Sequence, residues 1–177
     1  MNQIIRRSFN KMPQVQAVIS THFLKQQMDQ KDFSDRFRVI DASWDLPSAG
    51  RDTEKEHLER RIKGARFFNI DACCDKTTDL PHMLPNTEDF ERYVTNLGIS
   101  NNHHVILYDN SPKFGMFSAP RVWWSFKAFG HDKVSVLDGG LPSWIADGFP
   151  VDSGPYEICK GKVSVKLCNY NALGTEA

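Results

Sequence analysis

Asp109 is the residue best placed for chemistry. It follows the apolar run Val105-Ile-Leu-Tyr108 and heads the loop Asp109–Phe117, which contains Pro112 and Gly115 and leads to a helix opening at Ser118. A strand–loop–helix unit turns backbone N–H groups and a helix N-terminus into its loop, and that setting favours an anion. A cysteine at the head of such a loop would be held as a thiolate and would be a strong nucleophile. This chain has a carboxylate there. Asp109 is then either an acid or base, or an anchor that accepts hydrogen bonds from its own loop. No paired carboxylate or His stands close to it in sequence.

Other reactive side chains offer less. The four cysteines are Cys73, Cys74, Cys159 and Cys168. Adjacent cysteines form only a strained disulfide, so Cys73 and Cys74 read as two independent loop thiols. Cys159 and Cys168 follow no strand-to-helix loop and have no evident source of a lowered pKa. No C-x-x-C spacing occurs and His103-His104 has no further ligands at metal-site spacing, so neither a metal nor a cofactor is expected. Arg121, in the first turn of the helix after the loop, suits either a small anion or a structural ion pair. Arg51, Arg60 and Arg61 read as solvated charges. Trp44 stands just past the carboxyl end of a strand, where working clefts open, so a cleft wall is preferred to plain core packing. Phe114 and Phe117 would extend the same apolar wall. Trp123 and Trp124 are neighbours on one helix and cannot both face the core.

These residues need elements to position them. Ser20 or Thr21 can cap a helix running to about Gln30. Strands are expected near residues 37–42, 65–68, 105–108 and 134–137, and Val105–Tyr108 is a near-continuous apolar run, as a strand buried on both faces requires. Glu54–Arg61 is charged and helix-prone. Asp71–Pro85, with two prolines and no period, reads as a long connection. Thr87 is the expected cap of a helix stopped at Gly98, Ser118 that of a helix stopped at Gly130, and Pro142 opens a short helix closed by Gly148. Strands alternating with helices give an α/β domain with a mainly parallel central sheet flanked by helices.

Composition sets the frame. The chain has 177 residues, 40% hydrophobic and 25% charged, which suits one globular domain with a core of its own. Lys plus Arg and Asp plus Glu each number 22, so nucleic-acid binding lacks its usual electrostatic support. No run of eighteen apolar residues exists, and no transmembrane segment is expected. Residues 1–28 carry Arg6, Arg7, Lys11 and Lys25 but no acid. Such a start resembles a mitochondrial transit peptide, the alternative being a plain basic terminus, so mitochondrial and cytoplasmic locations both stay open.

Several segments together resemble the rhodanese and 3-mercaptopyruvate sulfurtransferase family. They are Arg38-Val-Ile-Asp-Ala-Ser-Trp44, Glu59-Arg-Arg-Ile-Lys-Gly-Ala-Arg-Phe-Phe68, Leu97-Gly-Ile-Ser100, Ala119-Pro-Arg-Val-Trp-Trp124, Phe129-Gly-His131 and Val134-Ser-Val-Leu-Asp-Gly-Gly140 with Trp144. The resemblance covers roughly residues 14–167 and is to the N-terminal module of the two-domain enzymes. It leaves residues 1–13 as a basic extension. It implies a rhodanese-like module without a catalytic residue of its own, Asp109 standing where the catalytic module carries its cysteine. A carboxylate is a poor attacker of sulfur and cannot form a persulfide. The family match favours Asp109 as the anchor. The implied partner is a catalytic rhodanese module or a full-length sulfurtransferase, with a small sulfur anion as the possible ligand. The alternative is an active thiosulfate or 3-mercaptopyruvate sulfurtransferase working through a cysteine persulfide. After Leu167 the family continues through a linker into the catalytic module. This chain has Cys168–Ala177, a tail that matches nothing in the family.

Overall fold

A computed structural model describes residues 15–112 and 116–156. The basic extension 1–13, Phe114, Cys159, Cys168 and the tail 168–177 lie outside the described residues, as does the end of the expected 14–167 domain. In chain order the elements are β1 (Val18–Ile19), α1 (Thr21–Met28), α2 (Phe33–Arg36), β2 (Phe37–Asp41), α3 (Thr53–Glu59), β3 (Arg61–Ile62), β4 (Arg66–Phe67), α4 (Thr87–Asn96), β5 (His104–Tyr108), α5 (Ala119–Ala128), β6 (Val134–Leu137), α6 (Gly140–Ala146) and β7 (Val151–Asp152).

Five strands form one sheet in the order β1-β6-β5-β2-β4, and every pairing in it is parallel. The expected α/β architecture is therefore present, and the expected strands at 37–42, 65–68, 105–108 and 134–137 are β2, β4, β5 and β6. Two pieces were not anticipated. Val18–Ile19 adds an edge strand beside β6, and β3 pairs with β7 as a small antiparallel ribbon. Both involve strands of two residues, too short to show a period.

Alternation along the strands divides the core. Val105 and Leu107 point to one face, where α4 and α5 supply Phe90, Val94, Val122 and Phe126. Ile106 and Tyr108 point to the other, met by Leu24 of α1 and by Leu141 and Trp144 of α6. A strand sandwiched between two helix layers is mostly apolar on both faces, so Val105–Tyr108 of β5 reads as a continuous run. On α5 the stripe Val122, Phe126 and Phe129 is buried as the helical spacing requires. Trp123 packs partly against this core, its indole donating to the Val134 carbonyl at 3.1 Å, while Trp124 is exposed.

Several local expectations need correction. α6 opens at Gly140, two residues before the expected Pro142. Asn86, rather than Thr87, caps α4, accepting from the Asp89 N–H at 2.8 Å. Ser118 does not cap α5; its hydroxyl is taken by Ala42 and Trp44. Arg61 is 1% exposed rather than solvated, because the chain turns from α3 into β3 and carries the side chain inward. Arg60 is exposed as expected, whereas Arg51, also expected to be solvated, is half-buried and ion-paired with Asp45 and Glu56.

Candidate functional site

At the carboxyl end of β5 the chain enters the loop headed by Asp109. The carboxylate is 1% exposed. Its Oδ1 accepts from the Ser111 N–H at 3.1 Å. Its Oδ2 accepts from the N–H groups of Phe117, Ser118 and Ala119 at 2.6, 2.9 and 3.0 Å. The amides at the start of α5 would otherwise be orphan donors facing the positive end of the helix. Asp109 supplies the anion that this loop geometry favours, and it comes from within the chain. With four amide donors and almost no surface, this carboxylate is held inside the fold.

Neighbouring groups lock the loop. The Ser43 hydroxyl donates to Asp41 and accepts from the Asn110 N–H at 2.8 Å. Asp41 in turn holds buried His57 at 2.9 Å. The Ser118 hydroxyl donates to the Ala42 carbonyl at 2.7 Å and accepts from the Trp44 N–H at 3.0 Å. Arg51 reaches across to the Asn110 carbonyl at 3.0 Å while paired with Asp45 and Glu56. The end of β2 and the beginning of α5 are thereby fastened together.

Outside this buried lock lies an aromatic cluster. Trp44 is half-buried and stacks on Phe117 with ring centroids 6.5 Å apart and planes at 12°. Phe117 is 43% exposed. The edge of His82 meets Trp44 at 4.7 Å and 88°. Asp71 joins both, accepting from the Trp44 indole N–H at 3.0 Å and facing His82 Nε2 at 2.8 Å. Arg121 donates to the His82 carbonyl at 2.5 Å and lies 4.5 Å from the Trp124 ring. Partial burial lowers its pKa. In this structure Arg121 makes a main-chain clamp on His82. A cavity of about 440 Å³ opens beside Trp44 and Asp71. Trp44, Phe117 and Arg121 are thus brought to one end of the sheet, with Phe114 outside the described residues.

Asp71 and His82 were missed in the sequence because Asp71–Pro85 reads as a bare connection. The backbone carries the missing signal. His82 has φ +56°, the sole non-glycine residue with positive φ among those described. Strain of this kind clusters at functional sites. Long loops without secondary structure also tend to be functional, which the two prolines around His82 could have suggested.

Of the two described thiols, Cys73 is the poor nucleophile. Burial pushes the Cys73 thiol up to about 12, helped by the adjacent Cys74 and by Asp89. Cys74 is half-buried, and its thiol donates to the Asp71 carbonyl at 3.2 Å. Both are free. Among the described residues no three His, Cys, Asp or Glu side chains converge as a metal site would need, and no helix is long and apolar enough to cross a membrane.

Comparison with known proteins bears on the whole fold. The family model "Rhodanese-like domain" matches residues 20–147. The human 3-mercaptopyruvate sulfurtransferase is 45% identical over 151 residues, which is 85% of this chain and 50% of that protein. The bovine thiosulfate sulfurtransferase is 46% identical over 139 residues, 78% of this chain and 46% of that protein. The chain therefore spans about half the length of the curated relatives it matches. Among solved structures, SseA from Escherichia coli, described as a 3-mercaptopyruvate sulfotransferase, superimposes with a TM-score of 0.77 at 34% identity, covering 86% of this chain and 56% of that one.

Proposed function

Because this chain belongs to the rhodanese-like domain family, in the thiosulfate and 3-mercaptopyruvate sulfurtransferase lineage, we propose that it works as a docking module without turnover of its own. One observation carries this reading. Asp109 fills the amide cradle at the head of α5 with a buried carboxylate, so no thiolate stands there and no sulfur anion can enter. Transfer of sulfane sulfur needs a thiolate to attack the donor and hold the sulfur as a persulfide. Cys73 is too high in pKa for that role.

The partner is a catalytic rhodanese module, in a separate chain or within a full-length sulfurtransferase. It would cover the end of the sheet where Trp44 and Phe117 stack. Leu46, two residues after Trp44, Met83, next to His82, and Trp124, whose ring lies against Arg121, are exposed. Apolar surface gathered at one end, with polar groups fixed beneath it, is the mark of an interaction face. Asp71 and His82 would then meet the cleft from this side, where a hydrogen-bonded imidazole can hold or pass a proton. A mitochondrial location belongs to the same reading, supported by the acid-free basic residues 1–28. Import into isolated mitochondria tests it.

The function is tested by incubating the purified chain with thiosulfate or mercaptopyruvate and cyanide, then reading thiocyanate or pyruvate formation and the intact mass. No turnover and no added sulfur are expected. A persulfide that forms quickly on any cysteine and is discharged to cyanide would establish the active alternative. Mixing with an isolated catalytic rhodanese module should give a complex by sedimentation, weakened in Phe117→Asp. Absence of any complex at high micromolar concentration would remove the docking role.

A further inference from the structure

We propose that a second cavity, at the amino ends of β2 and β4, binds an organic anion: one sulfonate, carboxylate or phosphate group on an apolar body. This end of the sheet is opposite the Asp109 loop, and the inference does not rest on the docking role. The cavity has a volume of about 510 Å³, within the range of small-molecule sites. Its apolar wall includes Met28, Phe33, Phe37 and Val39.

The charged wall favours an anion. Lys25, Arg38, Arg61, Lys63 and Arg66 line the cavity, with Asp29 and Asp152 the acidic residues among its described lining. Lys25 is neutralised by Asp29 at 2.6 Å. Arg61 is not neutralised to the same degree. Its guanidinium is buried, donating to the carbonyls of Gly154 and His57 at 2.7 and 3.3 Å and lying over the Tyr156 ring. Among the described residues its ion-pair partner is Asp152, at 3.8 Å and half exposed. Its buried Nε has no hydrogen-bond partner among the described residues. Neutral carbonyls fix a guanidinium in place but leave its charge, and a buried charge with partial compensation is costly. An anion in the adjoining cavity would supply the missing countercharge. Lys63 is exposed at the rim and makes no ion pair or hydrogen bond among the described residues, so it is available to a ligand. Arg38 and Arg66 are oriented by the carbonyls of Gly98 and Leu97.

The test uses the full chain and the fluorescent probe anilinonaphthalene sulfonate. Saturable binding at one site is expected, with amide shifts in the NMR spectrum centred on Lys63, Gly64 and Ala65. Lys63→Glu should weaken binding about tenfold, since it replaces an attraction at the rim by a repulsion, and should leave the unfolding midpoint unchanged. The uncharged parent, anilinonaphthalene, should bind far more weakly. Phe117→Ser, at the other end of the sheet, should leave the affinity as it is. The proposal is overturned if no saturable site is found. It is equally overturned if the uncharged probe binds as well, or if binding responds to Phe117→Ser and ignores Lys63→Glu.

Discussion

Replacing Asp109 by Asn tests whether the cradle is a structural lock. The substitution keeps shape and removes the charge. The remaining oxygen can still face the amides of Phe117, Ser118 and Ala119. The new NH₂ group then points at the Ser111 N–H, donor against donor, where Oδ1 accepted before. A hydrogen bond to a charged group contributes about 1.5–3 kcal/mol and a neutral one about 0.5–1.5, so each retained bond loses roughly 1 kcal/mol. The unpaired Ser111 N–H costs about 1 kcal/mol more, and loss of negative charge at the start of α5 adds about 0.5 kcal/mol. Relief from burying a charge acts the other way, so the net loss should be about 2–4 kcal/mol, a large part of an ordinary domain's stability. With a urea slope of about 2 kcal/mol per molar, the unfolding midpoint should fall by about 1–2 M. A midpoint unchanged, or raised, would mean that burying the carboxylate costs as much as its four bonds return, and the lock would not be what keeps Asp109 there.

Further outcomes follow from other residues. Burial holds His103 and His104 down at about 4 and lowers His131, so the folded chain keeps them neutral while the unfolded chain protonates them near 6.5. Their stabilisation is complete above that value and is lost as pH falls toward 4, by roughly 2–4 kcal/mol between pH 7 and 5 after allowing for partial exposure; a urea midpoint that stays flat over this range contradicts the assignment. Cys73, raised to about 12 and buried, should resist iodoacetamide in the folded chain at pH 8 while Cys74 reacts, as peptide mass mapping would read; equal labelling of the two would contradict its burial. Gly139→Ala places a methyl 1.8 Å from the Ser143 hydroxyl oxygen at a φ of +67°, and a loss of about 1–3 kcal/mol in thermal unfolding is expected, with an unshifted midpoint as the contrary result.

The parallel sheet was legible because its strands are buried on both faces. A run such as Val105–Tyr108 has no polar position to blur it, and Gly98 and Gly130 mark the ends of α4 and α5 by positive φ. The caps were half-legible for a specific reason. Side-chain capping is a competition among nearby acceptors, and sequence distance does not rank them. Ser118 stands at the N-cap position of α5, yet Asp109, nine residues earlier, takes its first amides because β5 delivers a full charge to that point. The serine hydroxyl, displaced from the helix, is then free to join β2 to α5.

The same limit explains what sequence reading gave and missed at the cleft. Trp44 and Phe117 could be placed together, since each follows the carboxyl end of a parallel strand and the topology brings those ends to one side. Asp71 and His82 could not, because their partnership depends on how an aperiodic loop folds back over eleven residues. Nor could the inward turn of Arg61, which depends on a two-residue ribbon with β7 some ninety residues later. Chemistry in this fold therefore divides by origin. Groups delivered by strand ends are readable from alternation, whereas groups delivered by loops and by short ribbons exist only once tertiary contacts are made. The two cavities divide the same way: the one beside Trp44 opens past the carboxyl end of β2, whereas the one beside Arg61 includes residues of the β3–β7 ribbon, where Arg61 stands opposite Asp152 and Ile62 opposite Val151.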